Sequence, residues 1–223
     1  MLERFSFLEQ FNLQNRNIKI LIITNSDNIN PKSDNMRLQL KIIELLADKP
    51  ELTINQIAKQ LTESYSFVNR TIAKMIKEGL ILKEKIGHSI LCRLNIKNDK
   101  TKVLIALNEV NKKHEFLKKN KELKLIADEI TTKIEADSIA IFGSYAKNTH
   151  KESSDIDLFI LTEKELDAAN LARDIYAKYG KEISPIVMAK RELESQKDRP
   201  VIKEIIKYHI ILKGFENFVN LLL

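Results

Sequence analysis

A glycine and a serine, Gly143-Ser144, stand ten residues ahead of a spaced pair of acids, Asp155 and Asp157. Each residue type has a use in phosphoryl chemistry. Gly143 lets the backbone turn sharply and approach a ligand with no Cβ in the way. If Ser144 opens a helix, its N–H and those after it face a natural seat for phosphate oxygens. Its hydroxyl can donate one more hydrogen bond. Asp155 and Asp157 lie two apart, so on a strand both carboxylates project from one face while Ile156 and Leu158 turn to the core. Two hard oxygen ligands opposite a phosphate seat suit a Mg²⁺ ion that bridges protein and nucleotide. A metal there polarises the phosphoryl oxygen and lowers the pKa of an attacking hydroxyl. The bland alternative is a helix-capping serine and two solvated aspartates. It is disfavoured because two acids on an apolar strand are costly unless something compensates them.

Several elements must position these residues. Ser138–Phe142 is an apolar strand ending at the glycine, and Asp155–Leu161 is a second strand carrying the acids. Helical spacing covers Lys164–Tyr179, with Leu166, Ala169, Leu171, Ala172, Ile175 and Tyr176 as its inner face. Glu182–Met188 reads as a third strand, which Pro185 confines to an edge or a bulge. A helix around Pro200–Lys207, a short apolar segment His209–Leu212 and a C-terminal helix follow. Upstream, Leu123, Ile126, Ala127, Ile130 and Ile134 form an apolar helix face that belongs to the same body.

Gly143, Ser144, Asp155 and Asp157, with the wording Ser154-Asp155-Ile156-Asp157-Leu158, resemble the DNA polymerase beta-like nucleotidyltransferases. The closer match is the minimal branch that includes antitoxin-type enzymes, which transfer adenylate to a partner protein. The resemblance spans about residues 120–223. It implies a small α/β fold with a short mixed sheet. It also implies attack of an acceptor hydroxyl on the α-phosphate of a nucleoside triphosphate, with pyrophosphate leaving. Asp155 and Asp157 would then be catalytic and hold the metal, and Gly143, Ser144 and Lys147 would bind the nucleotide. The family usually places a third carboxylate on the strand beside the Asp-x-Asp strand. Here the best register puts Ser184 at that position, with Glu182 one step earlier on the same strand parity. Glu182 therefore stands as the candidate third catalytic acid; the alternatives are a site with two carboxylates and one metal, or nucleotide binding without turnover. Asn148 occupies a position where the family often has glycine, and asparagine tolerates a positive φ.

The first half of the chain has a different pattern. Residues 18–23 read as a buried strand or core segment, and 24–35 read as a loop of turn formers. From Met36 an apolar helix runs to Lys49-Pro50. Thr53 caps a second helix, and a third runs from Ser64 to about Glu78, stopped by Gly79. Two strands, Leu80–Lys85 and Ser89–Ile96, turn at Gly87-His88. This order resembles a winged helix-turn-helix. Off its apolar stripe the third helix presents Ser66, Asn69, Arg70, Lys74 and Lys77, and the wing adds Lys83 and Lys85. Asn69 and Arg70 are suited to base edges and the lysines to phosphates. Use of the winged helix for protein contact or dimerisation is the alternative.

Charge supports this division. Residues 36–97 carry 11 Lys and Arg against 6 Asp and Glu, whereas 137–223 carry 13 against 14. A basic module beside a neutral one points to polyanion contact in the first. One cysteine, Cys92, excludes an internal disulfide framework and a Cys-rich zinc module. His88 stands at the wing tip, within reach of a phosphate, and His114, His150 and His209 lack metal-ligand spacing. No apolar run is long enough to span a bilayer and the N-terminus does not read as a signal peptide, so the expected location is the cytoplasm.

The expected architecture is a multidomain α+β chain: an N-terminal segment (1–35), a winged helix (36–97), a helical connector (98–119) whose Lys-rich middle is solvated, and a nucleotidyltransferase-like domain (120–223). The expected activity is Mg²⁺-dependent transfer of a nucleoside monophosphate, AMP from ATP, to a protein or nucleic-acid hydroxyl. The alternative is a DNA-binding transcriptional regulator whose second domain binds nucleotide or a partner without turnover. Expected partners are the nucleoside triphosphate and double-stranded DNA. By analogy with the minimal branch, a HEPN-type helical toxin in a toxin-antitoxin pair is another candidate, as is a second copy forming a homodimer.

Overall fold

A computed structural model describes residues 31–222 of the chain. The expected strand at 18–23 lies outside them. The fold described below is that of the unit Leu38–Leu223, together with the start of the helix that leads into it.

The winged helix is built by α1 (Pro31–Asp48), β1 (Leu52–Thr53), α2 (Ile54–Leu61), α3 (Tyr65–Lys77), β2 (Ile81–Ile86) and β3 (Ser89–Leu94). Helix α1 starts at Pro31, where a loop was expected to continue to residue 35; proline is well tolerated in a first helical turn because its missing N–H has no intrahelical partner there. It stops at Asp48, two residues before Pro50. Thr53 caps α2 as expected, in a full capping box. Its hydroxyl accepts from the Gln56 N–H at 3.3 Å, and the Gln56 side chain accepts from the Thr53 N–H at 2.8 Å. Ala at position 53 loses half of that exchange. Thr53→Ala is expected to cost about 1 kcal/mol, seen as an earlier loss of amide-exchange protection in α2. Gly79 ends α3 with φ +73°. The wing is a three-stranded antiparallel sheet in the order β1-β3-β2. Strand β1 was not expected; at two residues it is too short to show an alternation. It covers Cys92, opposite Leu52, and burial pushes that thiol up to about 11. Ile42, Ile57, Ile72 and Met75 meet in the core of this module.

Helix α4 (Asp99–Lys119) corrects the expectation of a solvated connector. Thr101, Leu104 and Ile105 are buried at its start, and Leu117 is buried near its end in a second core. Its lysine stretch is not wholly solvated: the half-buried Lys113 donates to the Leu212 carbonyl at 2.6 Å.

The second module follows as α5 (Lys121–Lys133), β4 (Ser138–Ile141), α6 (Gly143–Ala146), β5 (Ile156–Leu161), α7 (Ala168–Tyr179), β6 (Ile183–Met188), α8 (Lys190–Ser195), α9 (Pro200–Lys207), β7 (Ile210–Lys213) and α10 (Phe215–Leu222). Its mixed sheet has the order β6-β5-β4-β7. Strand β5 runs parallel to β6 and antiparallel to β4, and β4 runs antiparallel to β7. Pro185 sits on the edge strand β6, as its missing N–H requires. One sheet face, with Ile139, Ile156, Leu158 and Ile160, packs with α5 and α7. The other, with Ala140, Phe159 and Leu161, packs with α8, α9 and α10 through Leu193, Ile202, Ile205 and Phe218.

Helix α7 begins at Ala168, later than expected, because the Asp167 side chain accepts from the Asn170 N–H and caps it there. Of its expected inner face, Leu171 and Ile175 are buried, but Ala169 and Tyr176 are exposed. The apolar stripe is narrower than the residue types suggested. Glu129 of α5 ties this side together. It meets Lys178, Tyr179 and Lys133, and those donors, Lys178 foremost, pull its carboxyl down to about 2.

Candidate active site

Strand β4 delivers the chain to Phe142, whose N–H donates to the Asp157 carbonyl at 3.0 Å. The next residue, Gly143, therefore lies directly over the Asp157 side chain. A Cβ built on Gly143 would stand 1.9 Å from Asp157 Oδ2, and the backbone there has φ +65°. Both facts require glycine. Helix α6 is a single turn, closed by the Lys147 N–H on the Gly143 carbonyl at 3.1 Å. Asn148 follows with φ +58°, the conformation its type was expected to tolerate.

Asp155 and Asp157 share one face of β5, while Ile156 and Leu158 are buried on the other. Further along β5 the acid-bearing face is covered, since Phe159 packs edge-on against Phe218 at 6.2 Å. At the start of the strand it is open: Asp155 is exposed and Asp157 half-buried. Burial first, and then the charges of Asp155 and Glu204, hold the Asp157 carboxyl above the usual carboxylate range. The Ser144 N–H and the Lys147 ammonium act the opposite way, and more weakly.

Asp157 pairs directly with Ser184 across the parallel ladder, so the expected register is the observed one. The Ser184 hydroxyl donates to Asp155 Oδ2 at 2.5 Å. Glu182 lies just before β6; its carbonyl accepts from the Ile156 N–H at 2.9 Å, and its side chain is exposed. Among the described residues its carboxylate has no ionic partner. Lys147 is engaged elsewhere: its ammonium meets Glu204 Oε1 of α9 at 2.6 Å and lies 5.2 Å from the Tyr208 ring centre. Glu204 was not foreseen. Nothing in its helix singles it out, because it is joined to Lys147 across 57 residues of chain.

Among the described residues no three His, Cys, Asp or Glu side chains converge to hold a metal ion. The pair Asp155 and Asp157 nonetheless fits Mg²⁺, which binds through one or two carboxylates and keeps water and phosphate as its other ligands. Burial and the Asp155 charge raise the proton affinity of Asp157, and a divalent ion would relieve that charge imbalance. Of the four histidines, His150 stacks on Tyr145 at 4.1 Å and His209 is buried, its Nδ1 meeting the Ile206 carbonyl oxygen at 2.9 Å. A cleft of about 290 Å³ lies on the opposite side of β5, lined by Ile156, Tyr145, His150 and residues of α5, away from the acids.

In the winged helix, Ser66, Asn69, Arg70, Lys74 and Lys77 are all exposed on α3, and Lys83 and Lys85 on β2. Lys74 makes a weak ion pair with Glu78 at 3.8 Å. Arg93 is held by Glu51 and Glu84, which takes it out of any free basic surface.

Comparison with known proteins agrees with these two arrangements. Residues 123–213 match the family model described as a nucleotidyltransferase domain, and residues 37–81 match the winged helix-turn-helix DNA-binding model. A curated relative, "Putative protein adenylyltransferase MJ1305" of Methanocaldococcus jannaschii, is 36% identical over 89 residues. That match covers 36% of this chain and 60% of the relative. Two solved toxin-antitoxin structures also align. One, with AMP-PNP, is 18% identical with a TM-score of 0.33; the other, a mutant MntA-HpeT complex, is 20% identical with a TM-score of 0.32. Each covers 46% of this chain and 82% of the solved one. No helix among the described residues is long and apolar enough to cross a membrane. The chain thus joins a segment that matches the winged helix-turn-helix DNA-binding model to one that matches the nucleotidyltransferase-domain model.

Proposed function

We propose that this chain transfers AMP from ATP, with Mg²⁺, to a hydroxyl of a protein or nucleic acid, and that its winged helix holds it on double-stranded DNA. The observation that supports the transfer is the convergence of Asp155 and Asp157 at the open end of β5, with Gly143 packed onto Asp157. A protein acceptor is favoured by the name of the curated relative. Asp155 and Asp157 would hold the ion, which supplies charge neutralisation at the phosphates and at the attacking oxygen. Gly143 lets the strand end approach closely. The Ser184 hydroxyl fixes the Asp155 carboxylate. Incubation with ATP labelled at the α-phosphate, in extract and with purified protein, tests it. Label on a macromolecule that depends on Mg²⁺ and on both aspartates supports the reading. Label that survives Asp155→Ala plus Asp157→Ala removes it. Co-purification tests whether the acceptor is a HEPN-type partner.

A second reading has one observation in its favour: a serine stands where a third strand carboxylate would be. In that reading the domain binds nucleotide without turnover and the chain is a regulator. It predicts Mg²⁺-dependent ATP binding with no pyrophosphate release.

DNA binding has its own prediction. Among the described residues no acid pairs with Arg70, Lys77, Lys83 or Lys85, so all four are available to phosphates and bases. Affinity for duplex DNA should fall steeply with salt. Arg70→Ala should weaken it by about 1–3 kcal/mol if Arg70 reads a base. An electrophoretic shift assay at two salt concentrations checks both. A salt-independent response rules out DNA contact.

A further inference from the structure

We propose that Glu204 of α9 is the third acid of this site, latched by its ion pair with Lys147 and released when a triphosphate takes the lysine. The inference rests on the nucleotidyl-transfer reading and adds a residue and a switching contact to it.

Three placements carry it. The strand position beside Asp157 is held by Ser184, whose hydroxyl is already given to Asp155. A neutral hydroxyl locked in that bond cannot take a proton from an acceptor. Glu182 lies outside the strand with its side chain exposed, whereas Glu204 meets Lys147, whose N–H closes α6 on the Gly143 carbonyl. Glu204 comes from the helix layer covering the acid-bearing face of the sheet, where its neighbours Ile202 and Ile205 anchor α9 in the core. Its carboxylate is thus held at the turn whose glycine packs on Asp157.

The latch is the contact of Lys147 Nζ with Glu204 Oε1 at 2.6 Å, with the ammonium also over the Tyr208 ring. Lys147 sits one turn past Ser144, at the end of α6. An exposed ion pair of this kind is weak and exchangeable. A triphosphate offers the ammonium several negative oxygens in place of one carboxylate. Lys147 then turns to the phosphates and Glu204 is freed as a base. In the transfer step the acceptor O–H proton passes to Glu204, the oxygen forms its bond to the α-phosphorus, and the bond to the β-phosphate oxygen breaks. Pyrophosphate leaves with that electron pair.

The latch and the base predict effects of opposite sign. In the full chain, Glu204→Gln should bind ATP with Mg²⁺ about two- to fivefold tighter, because Lys147 no longer has a competing partner. The same variant should release pyrophosphate from ATP about a hundredfold more slowly, with water as the acceptor. Lys147→Met should weaken ATP binding, and Glu204→Gln added to it should give no gain in affinity. Glu204→Asp should recover part of the turnover. Affinity unchanged by Glu204→Gln, or turnover equal to that of the unsubstituted chain, overturns the assignment while leaving the transfer reading intact. ATP binding that does not depend on Asp157 overturns both.

Discussion

Asp155→Asn together with Asp157→Asn should abolish Mg²⁺-dependent ATP binding and lower transfer by about a thousandfold or more, the scale of several kcal/mol of lost metal-assisted charge stabilisation. The fold should not suffer. In the metal-free protein Asp157 is a half-buried acid pressed by Asp155 and Glu204. An amide keeps an oxygen to accept the Ser184 hydroxyl at position 155 and removes the repulsion. The pH dependence has a definite sign. A carboxyl raised in the folded state favours folding while it is protonated, below its unfolded value of 3.8, and that contribution is lost as pH rises through the folded value. In EDTA at neutral pH the ionised Asp157 is therefore a cost, and the double amide should melt at a higher temperature than the unsubstituted chain. Near pH 3 the two should converge. Thermal melts across pH check this, beside ATP titrations with Mg²⁺. A variant that loses ATP binding and also melts lower would mean that the acids are structural.

Gly143→Ala should also abolish activity, but with a loss of stability. Its φ of +65° disfavours any Cβ by about 1–2 kcal/mol. The larger problem is space, because the new carbon would lie 1.9 Å from Asp157 Oδ2 and 2.7 Å from its Cγ. Asp157 must move, while its backbone is held by the Phe142 N–H on one side and the ladder with Ser184 on the other. A total cost of about 2–4 kcal/mol is expected, in the range of backbone strain and overpacking together. A double-mutant cycle separates the parts. In an Asp157→Ala background the obstructing carboxylate is gone and only the conformational cost remains, so the two substitutions should couple by about 1–2 kcal/mol. Additive effects would show that Gly143 serves the turn alone and not the approach to Asp157.

Much of this arrangement is legible without coordinates because it is local. Side chains two apart on a strand share a face whatever the fold, so Asp155 and Asp157 were bound to emerge together. Thr53 and Gly79 mark helix ends through bonds made within a few residues, and Pro185 belongs at an edge because it lacks a donor. The register of β5 with β6 was implied by the family resemblance, which set Ser184 beside the acids. Less of the surface pattern could be read. Tyr176 has the type and spacing of a core residue yet is exposed, because a helix face is buried only where a neighbour covers it. The Lys-rich part of α4 reads as solvated yet packs, because a lysine stem can lie on protein while its ammonium finds a carbonyl.

The chain order by itself marked the candidate residues and determined that the two aspartates face one way, since strand geometry alone dictates the latter. The folded arrangement decided which groups surround them. Gly143 is set on Asp157 by a strand pairing, Ser184 is brought to Asp155 by the parallel ladder, and Glu204 is brought to Lys147 across 57 residues of chain by a packed helix. Such contacts follow from how two layers bury their apolar faces against each other. No spacing along the chain encodes them, because packing joins residues by shape and not by sequence distance.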